Sequence, residues 1–509
     1  SVFNYSWDLL SKKDKGICQR LAIFEGGFTV QAAGAIAQAT LADLASLADK
    51  SLLHRHINGR YEMKKLLRQY AREKIESIPD ECARTKSRHI RFFTVFLQDR
   101  LNSMDGVEQI SICNEIAMDI ENIRNACQWA MDNNDVGSLK NISPTLFAYY
   151  DRKGWIQEGG QLFQKIAQVM EHLPKDRMGR DEQLFYGKAL FRLGRFLRRL
   201  GRYEDAESAF AQSLNVFKGL NATREMHGVL LQHAIIALRK GDLENARFIS
   251  EQVLEQSTRE QDKNAMAQAL SNLGVIAYYQ GDHEQCRRMH GEALAIRQDL
   301  GQLRAIAAAL NNLANITDSL GNKDEARRLY ERSLEINKQI DNRSGLSIIY
   351  GNLGEIHQDL GDLEKSHYYF ELSLDLARQI GDPEGLVNSL QSMGYFYVLQ
   401  GDYDRSQKIY EETLRVAQKL NARPRLITTL DGIANLLKAR GNFEQAARIC
   451  LGLLEQERLA KEVHASVNRM LDDILSRIDQ EKVEELKKSV SAMTLDTLLE
   501  KAQSYLLKD

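Results

Sequence analysis

Residues 270–282 read LSNLGVIAYYQGD, residues 310–322 LNNLANITDSLGN, residues 350–362 YGNLGEIHQDLGD and residues 390–402 LQSMGYFYVLQGD. Stacked on one another, these segments put a glycine at the same place every 40 residues. The series extends in both directions as Gly201, Gly241, Gly281, Gly321, Gly361, Gly401 and Gly441. Midway between successive glycines stand Asn221, Gln261, Gly301, Asp341, Gly381 and Asn421, mostly residues that tolerate a positive φ or favour a turn. A break every 20 residues leaves room for one helix of roughly four turns. Leucine recurs at Leu214, Leu254, Leu294, Leu334, Leu374, Leu414 and Leu454, and a small residue at Gly194, Ala234, Gly274, Ala314, Gly354, Gly394 and Ala434. Self-similarity at this period predicts an all-α stack of seven helical hairpins over residues 181–460, each reading helix A, turn, helix B, turn.

The hairpin pattern resembles the tetratricopeptide repeat, in a 40-residue version rather than the usual one of about 34 residues. No hairpin buries its apolar face alone, so neighbours supply the core. The small residues let helices A and B approach, and the leucines fill the seam between hairpins. The resemblance implies a right-handed superhelix with helix A on the inside. With Leu270 and Leu273 pointing into the layer, positions 268, 271, 272, 275, 278 and 279, and their 40-residue equivalents, face the groove.

Those columns hold two candidate binding features. Arg192, Arg195, Arg198 and Arg199 lie on one side of the first helix A, joined by Arg239 one unit later. Such guanidiniums suit carboxylate or phosphate; the alternative is a solvated face paired with acids such as Glu204 and Asp205. The second feature is an asparagine ladder, Asn272, Asn312 and Asn352, with Asn311, Asn315 and Asn435 nearby. A side-chain amide pairs with both halves of a peptide unit, so a ladder holds an extended backbone and leaves side-chain choice to Tyr278, Tyr279 and Tyr395. The alternative is that asparagine before Leu-Gly serves the repeat locally. Further along, Asp318, Glu355 and Asp359 reverse the sign of the groove.

Composition restricts the rest. The 509 residues include five prolines and are 43% hydrophobic, as an almost purely helical chain requires. A formal net charge of −2 on 68 basic and 70 acidic residues gives no global attraction to nucleic acid or anionic membrane. The six cysteines are scattered, which fits free thiols in a reducing cytoplasm better than a disulfide framework or a zinc site. No apolar run approaches the ~20 residues of a membrane span. The histidines form no metal constellation: His54 and His56 share a strand face without partners, and His283 and His290 fall at ordinary hairpin positions. The chain begins with serine in mid-pattern, as a fragment or a processed chain would.

Residues 1–78 read as a small mixed domain. Ser11 caps a helix that Gly26-Gly27 ends; residues 29–38 and 40–49 form two more helices; Asn58-Gly59 joins a two-stranded hairpin; and a helix from about 64 to 77 follows. Three helices with a β-wing define a winged helix. The strings SWDLLSKKDK, LAIFEGGFTVQAA, LADLASLADKSLL and RYEMKKLLRQYAREKI resemble the winged-helix segment of signal-transduction ATPases with numerous domains, the class of the MalT-like and AfsR-like bacterial regulators. DIENIRNACQWA at 119–130 and KGWIQEGGQLF at 153–163 resemble their helical arm, here residues 79–180, with helices at about 82–103, 108–133, 138–152 and 155–172.

The resemblance implies that a P-loop nucleotide domain, the one that binds ATP or ADP, precedes the winged helix. It also implies that a histidine of a Met-His-Asp motif touches the β-phosphate of ADP. Here the motif reads Met63-Lys64-Lys65-Leu66-Leu67, so Lys64 is the candidate nucleotide contact. The alternative is a solvated basic face made of Arg60, Lys64, Lys65, Arg68, Arg72 and Lys74. No Gly-x-x-x-x-Gly-Lys-Ser/Thr occurs in the chain, so no cofactor and no enzymatic activity are assigned to it. Gln31, Gln38 and Lys50 are sparse equipment for reading DNA. Residues 461–509 read as two or three capping helices with a polar outer face.

Together these features predict a cytoplasmic sensing and autoinhibitory portion of a regulatory ATPase. An inducer (protein, peptide or small molecule) binds the groove, and arm and winged helix relay it to a nucleotide domain in cis or trans. The alternatives are a constitutive protein–protein interaction scaffold and a DNA-binding transcription regulator acting through the winged helix.

Overall fold

The computed structural model describes residues 7, 9–105, 108–174, 178–420, 423–456, 461–490 and 493–507. The chain divides into two compact units, one of residues 1–149 and 165–178, the other of residues 150–164 and 179–509.

In the first unit, α1 (Lys12–Leu21) starts at Ser11, whose hydroxyl accepts from the Asp14 amide. Helix α2 (Val30–Ala37) starts at Thr29 and stops at Gln38, which takes φ 58°. Helix α3 (Leu41–Asp49) opens on a capping box of Thr40 and Asp43. The Lys13 ammonium lies 2.5 Å from Asp43 and, with Thr40, holds that carboxyl down at about 2. The wing has three strands where two were expected: β1 (Gly27–Phe28), β2 (Leu53–Arg55) and β3 (Tyr61–Met63) pair antiparallel in the order β1-β3-β2. Gly26, at φ 75°, turns the chain so that Gly27 enters the sheet instead of merely ending α1. Phe28 and Tyr61 are buried.

Helix α4 (Lys65–Glu76) leads to α5 (Pro79–Gln98), where Pro79 occupies the first turn, a position with no intrahelical amide bond to lose. After a 3₁₀ turn at Asn102–Asp105, the single helix expected over 108–133 is two, α6 (Gln109–Met118) and α7 (Ile120–Asp132). The break falls at Asp119, whose carboxylate takes both terminal nitrogens of Arg60, at 2.7 and 3.0 Å, and the Asn122 amide at 3.0 Å. Asn122 in turn accepts from the Glu25 amide. The opening of DIENIRNACQWA is therefore an anchor for the wing. Helices α8 (Val136–Lys153) and α9 (Ile156–His172) follow, and their residues 150–164 belong to the second unit.

The second unit holds seven hairpins: α10 (Arg180–Arg199) with α11 (Tyr203–Gly219), α12 (Thr223–Lys240) with α13 (Leu243–Arg259), α14 (Lys263–Tyr279) with α15 (His283–Asp299), α16 (Leu303–Ser319) with α17 (Lys323–Gln339), α18 (Arg343–Asp359) with α19 (Leu363–Ile380), α20 (Pro383–Leu399) with α21 (Tyr403–Leu420), and α22 (Arg423–Ala439) with α23 (Phe443–Leu454). The hairpin glycines all take φ between 74° and 84°, and the midway residues from Asn221 to Gly381 take 44° to 67°. Asn421 lies outside the described residues. Gly194, Gly274, Gly354 and Gly394 each meet a ring on helix B: a Cβ there would stand 2.5 Å from Phe210, 2.7 Å from His290, 2.6 Å from Phe370 and 3.0 Å from Tyr410. Of the recurring leucines, Leu334, Leu374 and Leu414 are buried. Leu254 is half-buried against the core between hairpins.

Helices α24 (Lys461–Leu475), α25 (Gln480–Val490) and α26 (Leu495–Leu506) close the array. They bury Val467, Ile474, Leu486 and Leu498, and Gln407 of α21 donates to the Leu506 carbonyl at 2.5 Å. Among the described residues no helix is long and apolar enough to cross a membrane.

Candidate ligand-binding bore

The helix A columns named from the sequence line three adjoining cavities of the second unit. One of about 600 Å³ is walled by Asn352, Glu355, Asn388, Ser392, Tyr395, Asp431 and Asn435. A second of about 330 Å³ is walled by Tyr278, Tyr279, Asn312, Asn315 and Tyr330, and shares Asp318, Asn352 and Glu355 with the first. A third of about 460 Å³ shares Tyr279 with the second and Arg425 and Thr428 with the first. The three form one bore.

None of the five candidate arginines is in the walls of these cavities; Arg198, Arg199 and Arg239 are engaged with groups other than Glu204 and Asp205. Arg199 donates to Asp151 at 2.7 Å and to the Ser344 hydroxyl at 2.9 Å, and stands 3.7 Å from Asp382. Arg304 reaches the second Asp151 oxygen at 2.8 Å. Burial pushes Asp151 upward, but Arg304, Arg199 and Arg195 outweigh it and hold the carboxyl far below the usual carboxylate range. Arg239 pairs with Glu384 at 3.0 Å, and the Tyr203 hydroxyl donates to the same carboxylate at 2.5 Å. Arg198 donates to Gln232 at 3.1 Å. Arg192 lies over the Phe163 ring, and burial presses Arg192 and Arg198 down to about 10. Residues of the first two hairpins are thus tied to the fourth, fifth and sixth.

The asparagine ladder divides. Asn272 is buried, accepts from Gln268 at 3.2 Å and donates to the Leu231 carbonyl at 3.4 Å, so it serves the scaffold. Asn352 donates to Asn311 at 2.6 Å and to Asn315 at 3.2 Å, and Asn315 accepts from Tyr330 at 2.7 Å. These amides form rungs between neighbouring hairpins, while Asn312 borders the cavity. The tyrosines lie on the walls, with Tyr395 41% exposed.

Acids stand in the cavity walls. Burial, with Asp359 nearby, raises Asp318 and Glu355 above the usual carboxylate range. Glu355 accepts from Ser392 at 2.6 Å, and burial raises Asp431 to about 6.

Sequence reading missed Asp151, Arg304, Glu384, Arg425 and Asp431. A signal for three of them existed in helix A's first turn. Column 265 reads Ala265, Ala305, Gly345, Gly385 and then Arg425; column 264 reads Asn264, Arg304, Ser344 and Glu384.

In the first unit, Lys64 is exposed at the start of α4 and makes no ion pair or side-chain hydrogen bond among the described residues. Leu66 beside it is 64% exposed. Lys65 of the expected basic face is exposed too, but the others are engaged: Arg60 is buried on Asp119, Arg68 and Arg72 pair with Glu25 at 3.3 and 2.7 Å, and Lys74 lies over Tyr70. Arg60 belongs to the wing, where a guanidinium fork is needed to bind Asp119 and the Gly27 carbonyl together.

Among known proteins, the tetratricopeptide repeat profile matches residues 225–299, 265–339, 305–379 and 386–449, and a second tetratricopeptide profile matches residues 189–216. The hairpin array is a tetratricopeptide-repeat array. Proteins described as HTH-type transcriptional regulators of Mycobacterium tuberculosis and Mycobacterium bovis are 26% identical over 175 residues, covering 32% of this chain and 20% of theirs. The chain thus spans about a fifth of the length of these curated relatives. Among solved structures, a signal-transduction ATPase with numerous domains carrying a tetratricopeptide repeat sensor, from Pyrococcus horikoshii, matches at TM-score 0.49 and 15% identity, over 96% of this chain and 67% of that one. A Rap protein complexed with Competence and Sporulation Factor matches at TM-score 0.45 and 16% identity, over 68% of this chain and 98% of that one.

Proposed function

We propose that this chain is the sensing and regulatory portion of a cytoplasmic signal-transduction ATPase with numerous domains. An inducer (protein, peptide or small molecule) occupies the bore of the repeat array, and the arm and winged helix relay its presence to a nucleotide-binding domain in cis or trans. The observation that carries the reading is the bore of adjoining cavities in the repeat array, with Asp318, Glu355, Asp359 and Asp431 in one part of its wall and Arg425 in another, in a chain whose winged-helix sequence resembles that class. A ligand shifts such a switch only by its differential affinity for the two arrangements. Because Arg199, Arg239 and Glu384 tie distant hairpins together, a guest that rearranges those pairs has a means of altering the curvature of the array. The chain brings no P-loop, so ATP or ADP belongs to the partner domain, with Lys64 as the candidate contact.

The test uses the longer protein that contains this chain. Its reading frame ahead of Ser1, or a companion chain, carries a P-loop, and ATP turnover changes when inducer is added. Replacing Arg195 and Arg198 with alanine abolishes that change while the thermal transition stays cooperative. An inducer response that survives both substitutions overturns the reading of the bore.

A further inference from the structure

Helix α12 of the second hairpin and α22 of the seventh stand on opposite sides of the 460 Å³ chamber. Its walls are Leu238 and Leu243 from one end of the array and Pro424, Ile427 and Val463 from the other. An apolar chamber normally excludes charge, yet Arg425 stands in its wall, half-buried, with no ion pair and no side-chain hydrogen bond among the described residues. Its position in the repeat belongs to alanine or glycine in the four preceding hairpins, so the guanidinium is specific to this place. The carboxylate that acts on Arg425 electrostatically, Glu384, is already held by Arg239 and Tyr203. Of the acids at the chamber, Asp242 accepts from the Asn245 amide at the start of α13, and Glu244 is exposed at the rim. The other basic side chain, Arg423, donates to Gln456 at 3.4 Å.

We infer that this chamber binds an aliphatic carboxylate, its carboxyl group received by Arg425 and its hydrocarbon body lying against Leu238, Leu243 and Ile427. A planar guanidinium takes a carboxylate through two parallel hydrogen bonds. Beyond Arg425 the 600 Å³ cavity presents Asp318, Glu355, Asp359 and Asp431, which repel a second negative charge, so the ligand carries one anionic group and not several. Because the walls come from the second and seventh hairpins, an occupied chamber fastens the two ends of the array to each other. The inference rests on the reading of the bore as the ligand site and names the chemistry admitted at one end of it.

The test is calorimetric titration and thermal melting of the full 509-residue chain with octanoate. Octylamine, acetate and inorganic phosphate serve as comparators. A second arm uses an acetylated tetrapeptide ending in leucine, as free acid and as amide, to tell a peptide C-terminus from a free alkyl acid. Octanoate or the free-acid peptide binds and raises the melting temperature. Arg425→Gln weakens that binding by about tenfold or more, the size of a lost charge-assisted hydrogen bond. Leu243→Asp, which puts a carboxylate into the chamber, does the same, and Arg415→Gln on the outer face of α21 leaves binding unchanged. Equal binding of octylamine or acetate, or full affinity in either chamber variant, overturns the inference. So does failure of every carboxylate probe, and that failure leaves the inducer test with Arg195 and Arg198 unaffected.

Discussion

His89 sits on α5 with neither ring nitrogen hydrogen-bonded, its ring 4.7 Å from that of Phe93, 4.9 Å from that of Trp129 and 5.7 Å from that of Phe24. Burial lowers its pKa to about 3. The unfolded chain takes up a proton near pH 6.5, the folded one does not until about pH 3, so stability falls as pH drops through that window. His89→Phe removes both the titration and two unsatisfied nitrogens. It is expected to raise the melting temperature, and to raise it more at pH 5 than at pH 8, in parallel thermal melts. Asp431 has the opposite sign. Burial raises it to about 6, so the folded state holds a proton that the unfolded state has already released, and stability falls as pH rises from about 4 to 6. Asp431→Asn is expected to stabilise the chain by up to about 3 kcal/mol above pH 7, and by nothing measurable at pH 4. Equal gains at both pH values count against a buried carboxyl. Neither environment was legible in the sequence, because both depend on which helices close over the residue. Lys64 was legible as an exposed cation, and Arg60 was not legible as a buried one: its neighbours in sequence are a turn, and its partner Asp119 is 59 residues away.

At the scale of the hairpin, the helix A–helix B contact rests on a small residue facing a large one 16 positions later, as Gly194 faces Phe210, Gly354 faces Phe370 and Gly394 faces Tyr410. The pair distributes a fixed volume between two helices, so enlarging one member alone overpacks the joint. Gly354→Ala places a methyl 2.6 Å from the Phe370 ring and is expected to destabilise the chain by about 1–3 kcal/mol. Phe370→Leu, costly on its own, is expected to be partly relieved in the double variant, so a denaturation cycle gives a favourable coupling. Simple additivity speaks against the paired-volume account. The hairpins were legible because a fixed period repeats turn chemistry at Gly281 or Gly321 and apolar spacing at Leu270 and Leu310 in the same register. The third wing strand was hidden because Gly27-Phe28 is too short to show an alternation, and the break at Asp119 because it answers to Arg60 rather than to a local stop signal. The bore-facing columns followed from helical periodicity. The first-turn residues Arg304, Glu384 and Arg425 escaped because the groups they meet come from elements far away in the sequence.

Pairing between distant hairpins separates this array from a chain of nearest-neighbour contacts. A solenoid's stability is ordinarily a sum over adjacent repeats, yet Arg199 reaches Ser344 across 145 residues of sequence and Tyr203 reaches Glu384 across 181. Glu384 is the hinge of these links, since Arg239, Arg198 and Arg425 all lower its pKa against the upward push of burial. Replacing it with glutamine keeps its volume and its acceptor for Tyr203 but leaves those guanidiniums facing one another in a partly dry bore. Breaking one side of a buried pair costs far more than the pair is worth intact. Glu384→Gln is therefore expected to cost about 3 kcal/mol, and to increase the radius of gyration as the first and sixth hairpins draw apart. Added salt recovers part of the loss by screening the arginines that reach solvent. The double variant Glu384→Gln with Arg239→Gln, which removes the charge left without its carboxylate, recovers more than salt does. Small-angle scattering and chemical denaturation of the single and double variants test this together. If Glu384→Gln leaves both stability and dimensions as they were, the cross-bore pairs are incidental to the curvature. If it loses stability at constant dimensions, the pairs stabilise the fold without setting the opening of the bore.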